Sequence, residues 1–179
     1  MENNDQEKNS NQAESEEKRD KIVDSYEKMA ERAHQLFTES SEKTLANLEV
    51  AIEKAREGLV KAGEVSQSES QRLKEYLRRD LEQGAKYFDT FKEQASEKLQ
   101  PGRVRAGLLD LTATLAHSAS HLFDRLGEWA DSTASFHTGQ VTGPGTLMCR
   151  QCGKEMNFKK SGNIPPCPSC KKTEFRRIK

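Results

Sequence analysis

The sequence predicts a mainly α-helical protein, in which a long antiparallel helical hairpin or three-helix body precedes a small C-terminal β module. Three observations support this class. Apolar residues recur every three or four positions over three long segments, the 179 residues are 33% hydrophobic and 32% charged, and all four cysteines lie between Cys149 and Cys170. Amphipathic helices need only a narrow apolar stripe, so they suit this composition better than a large compact core does.

The first 19 residues are polar and charged. Apart from Met1, their only apolar residue is Ala13. Such a segment buries too little apolar surface to offset the entropy lost on ordering. We therefore expect residues 1–19 to form a disordered tail and residues 20–136 to form a helical, coiled-coil-like domain.

The first predicted helix runs from about Asp20 to Lys61. Its apolar stripe weakens between Ser40 and Thr44, and Gly63 supplies a left-handed cap where the helix ends. The stripe consists of Ile22, Tyr26, Met29, Ala33, Leu36, Phe37, Ser40, Thr44, Leu48, Ala51, Ile52, Ala55 and Leu59.

A second helix begins a few residues later and ends before Pro101-Gly102. Ser66 with Glu69, or Ser68 with Gln71, fits a capping box at its start. Because the connection after Gly63 is short, we expect the first two helices to form an antiparallel hairpin. The second stripe consists of Leu73, Leu77, Leu81, Gly84, Phe88, Phe91, Ala95 and Leu99.

A third helix is predicted over residues 103–134, where the apolar stripe is the most regular. We interpret all three stripes as helix-packing surfaces. His117 and His121, four positions apart in this helix, have a spacing that can bind a metal. They lie beside the stripe, however, so we interpret them as a flank of the helix. Residues 137–146, with three glycines and a proline, are predicted to be a linker.

The cysteines form two Cys-x2-Cys pairs, Cys149 with Cys152 and Cys167 with Cys170, separated by 14 residues. This spacing is typical of a tetrahedral zinc site built from two tight turns, called knuckles. Four thiolates fill the tetrahedron, so we predict one structural Zn²⁺ and no open catalytic position. The module, residues 147–179, is too small to fold by core burial alone and depends on the metal.

Iron in a rubredoxin-like site is the alternative, because it uses the same four ligands. We favour zinc since only Phe158, Ile164 and Phe175 are available to shield a redox centre. Short segments beside the knuckles, Thr146–Met148 and Thr173–Ile178, fit the strands of a small ribbon.

The net charge of zero is unevenly distributed. Residues 147–179 carry nine basic and two acidic residues, a net charge of +7, so residues 1–146 carry −7. This asymmetry indicates a macromolecular partner for the basic end. Phe158 and Phe175 could stack on the bases of a nucleic acid. The basic candidates for nucleic-acid or protein contact are Lys159, Lys160, Lys171, Lys172, Arg176 and Arg177.

The stretch HTGQVTGPGTLMCRQCG (His137–Gly153), followed by CPSC (Cys167–Cys170), resembles the bacterial YbeL-like zinc-ribbon proteins. The resemblance covers about residues 22–178 and includes YEKMAERA (Tyr26–Ala33), EKAREGLVKAGEVSQSE (Glu53–Glu69) and LRRDL (Leu77–Leu81). It implies a helical N-terminal region, a C-terminal ribbon with zinc on its four cysteines, and no enzyme activity. The chain departs from the family pattern at Lys171, where glycine is usual, and in its longer polar tail before Ile22.

We therefore expect a non-enzymatic interaction or adaptor protein whose helices bind a protein partner or self-associate. A nucleic-acid-binding regulator that uses the basic ribbon is one alternative, and a thiol redox sensor is another. No nucleophile elbow, phosphate loop or zincin motif is present, so no small-molecule substrate is predicted. A charged N-terminus and the lack of an 18-residue apolar run favour a cytoplasmic protein without a membrane span.

Overall fold

The computed structural model describes residues 3–98 and 135–178. These ranges contain three helices, α1 (Asn3–Glu39), α2 (Leu45–Lys61) and α3 (Gln67–Lys98), followed by six short strands. The predicted helix over residues 103–134, including His117 and His121, lies outside the described residues. Among the residues that are described, no helix combines the length and the apolar character needed to cross a bilayer.

The first predicted helix is two helices in the structure, because the chain turns at Ser40–Thr44. The Lys43 ammonium group donates to three carbonyl oxygens at the end of α1, those of Phe37, Thr38 and Ser40, at 2.7–2.8 Å. Directly afterwards, the Thr44 hydroxyl accepts a hydrogen bond from the Asn47 N–H at 3.2 Å and caps α2. The weak part of the stripe is therefore the end of one helix followed by the start of another.

The segment expected to be a disordered tail is helical from Asn3 onward, as the first part of α1. Its described side chains, from Glu14 to Lys21, are all exposed. Lack of apolar residues excludes a core there, but Glu, Lys, Gln and Ala are good helix formers and continue the helix that follows. One ribbon residue contacts this part of α1, since the Asn163 side-chain amide donates to the Arg19 carbonyl at 3.1 Å.

The predicted end of α2 is confirmed. Gly63 has φ +69°, the left-handed conformation that glycine adopts without a steric penalty. The Glu64 N–H donates to the Leu59 carbonyl and the Gly63 N–H to the Val60 carbonyl, both at 3.0 Å. These two bonds form a Schellman motif, which satisfies carbonyls left open at the helix end.

The start of α3 follows the first of the two predicted capping boxes. The Glu69 N–H donates to the Ser66 hydroxyl at 3.2 Å, and the Ser66 N–H donates to the Glu69 carboxylate at 3.1 Å. Two free N–H groups are thus satisfied reciprocally. Ser68 lies within the first turn of α3 instead of capping it.

Ion pairs between α2 and α3 show how these two helices are aligned. Lys74 lies 2.7 Å from Glu53, and Arg78 lies 3.7 Å from Glu49, so α2 and α3 are antiparallel. The hairpin expected between the first two predicted helices is therefore formed by α2 and α3, while α1 and α2 fold back on each other as a second hairpin. Among the side chains that the structure describes, the core of the body consists of Tyr26, Met29, Ala30, Ala33, Phe37, Leu48, Ala51, Ile52, Ala55, Leu59, Leu73, Leu77, Leu81 and Val141.

The C-terminal module contains two antiparallel sheets. A four-stranded sheet has the order β1-β6-β3-β4, and β2 pairs with β5. The strands are β1 (Phe136–His137), β2 (Val141–Thr142), β3 (Gly145–Cys149), β4 (Glu155–Phe158), β5 (Gly162–Asn163) and β6 (Glu174–Arg177). The two predicted ribbon strands are confirmed as β3 and β6, which pair with Cys149 opposite Phe175.

The segment predicted as a linker, residues 137–146, belongs to the ribbon. It contains β2 and parts of β1 and β3, and Val141 pairs with Asn163. Its glycines indicate an irregular turn, but the strand partners of this segment lie 11 or more residues further along the chain and leave no local signal. Ribbon and helical body therefore adjoin each other directly.

We predict that Ser66→Ala lowers the free energy of unfolding of the zinc-loaded protein by about 1 kcal/mol, because the substitution leaves the Glu69 N–H without its cap. Urea unfolding followed by circular dichroism measures this change. The matched control is Ser68→Ala, which should leave stability unchanged or slightly higher because alanine is the better helix former. A larger loss of unfolding free energy in Ser68→Ala than in Ser66→Ala would contradict the assignment of Ser66 as the cap.

Candidate metal centre

Folding brings the four cysteine sulfurs together, all within 4.8 Å of one another. The Sγ atoms of Cys149 and Cys170 are 3.6 Å apart, as are those of Cys152 and Cys167. Zinc–sulfur bonds of about 2.3 Å place sulfurs at the corners of a tetrahedron about 3.8 Å apart. A disulfide requires about 2.05 Å, so this arrangement fits four ligands around one metal.

The first knuckle is closed by two backbone hydrogen bonds. The Cys149 N–H donates to the Lys154 carbonyl at 2.9 Å, and the Gly153 N–H donates to the Cys149 carbonyl at 3.0 Å. Gly153 has φ +72°, a left-handed conformation that glycine adopts without a steric penalty. The turn holds both cysteines on one side of the loop, where their sulfurs converge.

The second knuckle repeats this geometry. The Cys167 N–H donates to the Lys172 carbonyl and the Lys171 N–H to the Cys167 carbonyl, both at 2.9 Å. Lys171 has φ +61° and occupies the position equivalent to that of Gly153. The turn is therefore regular although a lysine replaces the usual glycine, and Lys171 bears the steric cost of the left-handed conformation.

The knuckles also favour the thiolate form of their first cysteine. The backbone N–H of Cys170 is the largest influence on Cys167 and helps to lower its pKa to about 6. The backbone N–H of Cys152 acts in the same way on Cys149, whose pKa is lowered. For Cys170 the Lys172 N–H acts in the same direction, but burial and the three neighbouring thiols raise its pKa to about 12. Because a zinc ligand must be a thiolate, each knuckle prepares its first cysteine electrostatically for a divalent cation.

The core beside the metal centre is small. It consists of Cys149 and Cys167 with four apolar residues: Phe136, Leu147, Ile164 and Phe175. Cys170 is half-buried and Cys152 is exposed. So few apolar residues cannot stabilise six short strands, so the metal supplies much of the stability of the ribbon.

Five of the six predicted basic contact residues are exposed, and one is not. Arg177 is only 6% exposed, and its guanidinium donates to the Pro144 carbonyl and to the Thr142 hydroxyl, both at 2.7 Å. It is a structural residue and is unavailable to phosphates, which corrects the sequence prediction. Phe175 is fully buried and has no stacking face to offer. The exposed residues are Lys159, Lys160, Lys171, Lys172 and Arg176.

These cations do not lie in one place along the ribbon. Lys159 and Lys160 follow β4, and Lys160 lines a surface cavity together with Glu16 and Asp20 of α1. Lys171 and Lys172 lie in the second knuckle, directly after a zinc ligand. The positive charge of the second knuckle is therefore separate from the charge that lies beside acidic residues of the body.

Sequence reasoning missed a buried charged residue, Asp80. Its position in the chain gives a signal, because Asp80 follows Leu77 by three residues and precedes Leu81 by one, so it lies on the buried side of α3. The residue is 1% exposed, and its carboxylate accepts hydrogen bonds from the helical body and from the ribbon. A carboxylate at a core position indicates a buried polar partner elsewhere in the fold.

Comparison with known proteins agrees with this architecture. The chain belongs to the family described as "Zinc-ribbon containing domain", whose model matches residues 34–179. It is 24% identical over 131 residues to the uncharacterized protein YbeL of Escherichia coli K12. The matched region covers 73% of this chain and 82% of that relative. YbeL proteins from two other Escherichia coli strains match equally well. No solved structure matches the chain.

We predict one zinc per chain, which is lost in Cys167→Ser because that variant has only three thiolates for the metal. Native mass spectrometry and elemental analysis after dialysis against a chelator measure this loss. The control is Ser169→Ala, in the same knuckle, which should retain one zinc. Iron or no metal in the untreated protein would contradict the zinc assignment.

We also predict that Lys171→Gly strengthens zinc binding by about fivefold, equivalent to about 1 kcal/mol, because glycine relieves the left-handed backbone. Lys171→Ala removes the same charge without relieving the backbone, so it separates the two effects. Gly153→Ala, in the equivalent position, should weaken zinc binding by a similar factor. Competition with a chromophoric chelator measures all three affinities, and equal values for Lys171→Gly and Lys171→Ala would argue against backbone strain.

Proposed function

We propose that this chain is a non-enzymatic interaction protein of the cytoplasm, in which one structural zinc holds a ribbon that binds another protein. The closed set of four cysteine ligands carries this proposal. Four thiolates leave a zinc ion no position for water or substrate, so the metal supports a surface instead of a reaction. Four reduced thiols also suit a reducing compartment, where disulfides rarely persist.

The exposed surface of the knuckles is the binding surface that we propose. Lys171 and Lys172 are exposed there, as are Arg150 and Lys154 of the first knuckle. Residues 1–146 of the same chain carry −7, so the ribbon is the cationic end of an otherwise acidic molecule. An acidic surface on a partner protein, or on a second copy of this chain, has the complementary charge.

We favour a protein over a nucleic acid because two cations of the ribbon are already compensated by carboxylates. Arg177 lies 3.6 Å from Asp80, and Arg150 lies 3.5 Å from Glu174. Lys160 lines a cavity together with Glu16, Asp20 and Arg19 of α1, so the cations and carboxylates of that cavity are equal in number. A protein that binds along a nucleic-acid backbone needs a continuous row of uncompensated cations. Each compensated cation lowers the salt-dependent part of the affinity for the nucleic acid.

A photo-crosslinking residue in place of Lys172 tests the proposal in living cells. We expect a covalent adduct with one protein species, or with a second copy of the chain, and its loss when Cys167→Ser is combined with the probe. The same probe in place of Lys54, an exposed residue of α2, is the matched control and should give no such adduct. Light scattering of the purified chain separates self-association from a second protein. Absence of a protein adduct from position 172 would contradict the proposal.

Nucleic-acid binding is the second candidate, favoured by the exposure of Lys159, Lys160, Lys171 and Lys172. Fluorescence anisotropy with short single- and double-stranded DNA and RNA, at two salt concentrations, tests it. Changing these four lysines to glutamate should abolish any salt-sensitive binding. The matched control changes four exposed lysines of the body to glutamate, Lys18, Lys21, Lys54 and Lys61, for the same change in net charge. Binding that survives in this control alone would favour the nucleic-acid role over a protein partner.

A further inference from the structure

One buried carboxylate joins the ribbon to the helical body. Asp80 of α3 accepts a hydrogen bond from the Tyr26 hydroxyl of α1 and another from the Gly143 N–H of the ribbon, both at 2.7 Å on the same oxygen. Its other oxygen lies 3.1 Å from Arg79 and 3.6 Å from Arg177 of β6. The carboxylate therefore needs groups from α1, α3 and the ribbon at the same time to be compensated.

The neighbouring Arg79 extends this interface along the ribbon. Its guanidinium stacks on the Phe136 ring at 3.9 Å from the centroid. It also donates to the Val141 carbonyl at 2.9 Å and to the Gln140 side chain at 2.5 Å. Within its own helix, Arg79 also donates to Asp80 and lies over the ring of Tyr76, 5.2 Å from the centroid.

An apolar contact completes the interface. Val141 of β2 is fully buried, and it is the ribbon residue in the core cluster of the helical body. It contacts a cluster that is otherwise built from helix residues. The packing of α1 and α3 therefore includes one side chain that the helices do not supply.

Side-chain packing and backbone hydrogen bonds link this interface to the zinc ligands. Arg177 and Phe175 lie on the same buried side of β6, and Phe175 packs with Cys149 and Cys167. On the β2 side, Gly139 and Gln140 exchange backbone hydrogen bonds with Ile164, at 2.8 and 2.9 Å, three residues before a zinc ligand. The residues that contact the helices are thus held in place by the same small core that surrounds the metal centre.

We propose that the ribbon is a zinc-dependent clamp on the helical body, so that zinc binding and the packing of α1 against α3 are thermodynamically coupled. Without zinc the ribbon loses its main source of stability, and Gly143, Arg177 and Val141 leave the interface together. Asp80 then loses two partners and the body loses a core side chain. Because coupling is reciprocal, a chain in which the interface no longer forms binds zinc more weakly, by the same factor by which zinc stabilises the interface. This inference concerns regulation and holds whichever partner the knuckles bind.

Hydrogen–deuterium exchange of the full chain, zinc-loaded and after removal of zinc with a chelator, tests the first half. We expect amides near Tyr26 in α1 and near Asp80 in α3 to exchange at least about fivefold faster without zinc, the low end of common coupling energies. This measurement needs no substitution, so a folding defect in a variant cannot obscure it. Unchanged exchange in both helices would overturn the proposal.

Zinc affinity of interface variants tests the reciprocal half. Asp80→Asn and Val141→Ala should each weaken zinc binding by at least about fivefold, although neither residue lies near a cysteine in the chain. The matched control is Glu53→Gln, which removes a carboxylate that binds Arg56 and Lys74 within the helical body. It should bind zinc as the wild type does. Wild-type zinc affinity in Val141→Ala and Asp80→Asn would show that ribbon and body are independent.

Discussion

The C-terminal module depends on one constraint, which is that four cysteine sulfurs must meet at a single point. Its strands are two to five residues long and its apolar core has few members. Such strands have little stability of their own, because each pairing closes a loop for only a few hydrogen bonds. A tetrahedral metal centre offsets the entropy cost of closing these loops, since it joins two knuckles 15 residues apart. The same ribbon then positions Val141 and Arg177 against the helices.

The features that could be predicted from the sequence are those that local chemistry determines. Gly63, the Ser66 capping box and both knuckles each depend on residues within about five positions, so their spacing alone identifies them. Periodicity predicts one continuous helix through Ser40–Thr44, and this prediction is wrong. Periodicity records which positions face the core, and Ser40 and Thr44 keep that period. It does not record that Lys43 can satisfy the carbonyls of α1 and end the helix.

Contacts between distant residues left no comparable signal. Tyr26 and Asp80 are 54 positions apart, and Asp80 and Gly143 are 63 apart. The residues after His137 were interpreted as a linker because glycine is frequent there. In the structure Gly143 is buried and its N–H supplies a hydrogen bond to a buried carboxylate. Arg177 lies 3.6 Å from the same carboxylate. The sequence predicts Arg177 at the surface because its countercharge comes from a helix that no sequence pattern connects to it.

Compensation of Arg177 changes where recognition by charge can occur. The ribbon contacts the helices through residues between Phe136 and Gly143, through Asn163 and through Arg177, and there the positive charge of Arg177 is balanced by Asp80. Exposed positive charge that remains beside the metal centre lies in the knuckles, at Lys154, Lys171 and Lys172. A partner that binds these residues in the folded ribbon binds only the zinc-loaded form, so it also stabilises the zinc and the contact with α3 by mass action. Partner binding, metal retention and helix packing then become properties of one equilibrium.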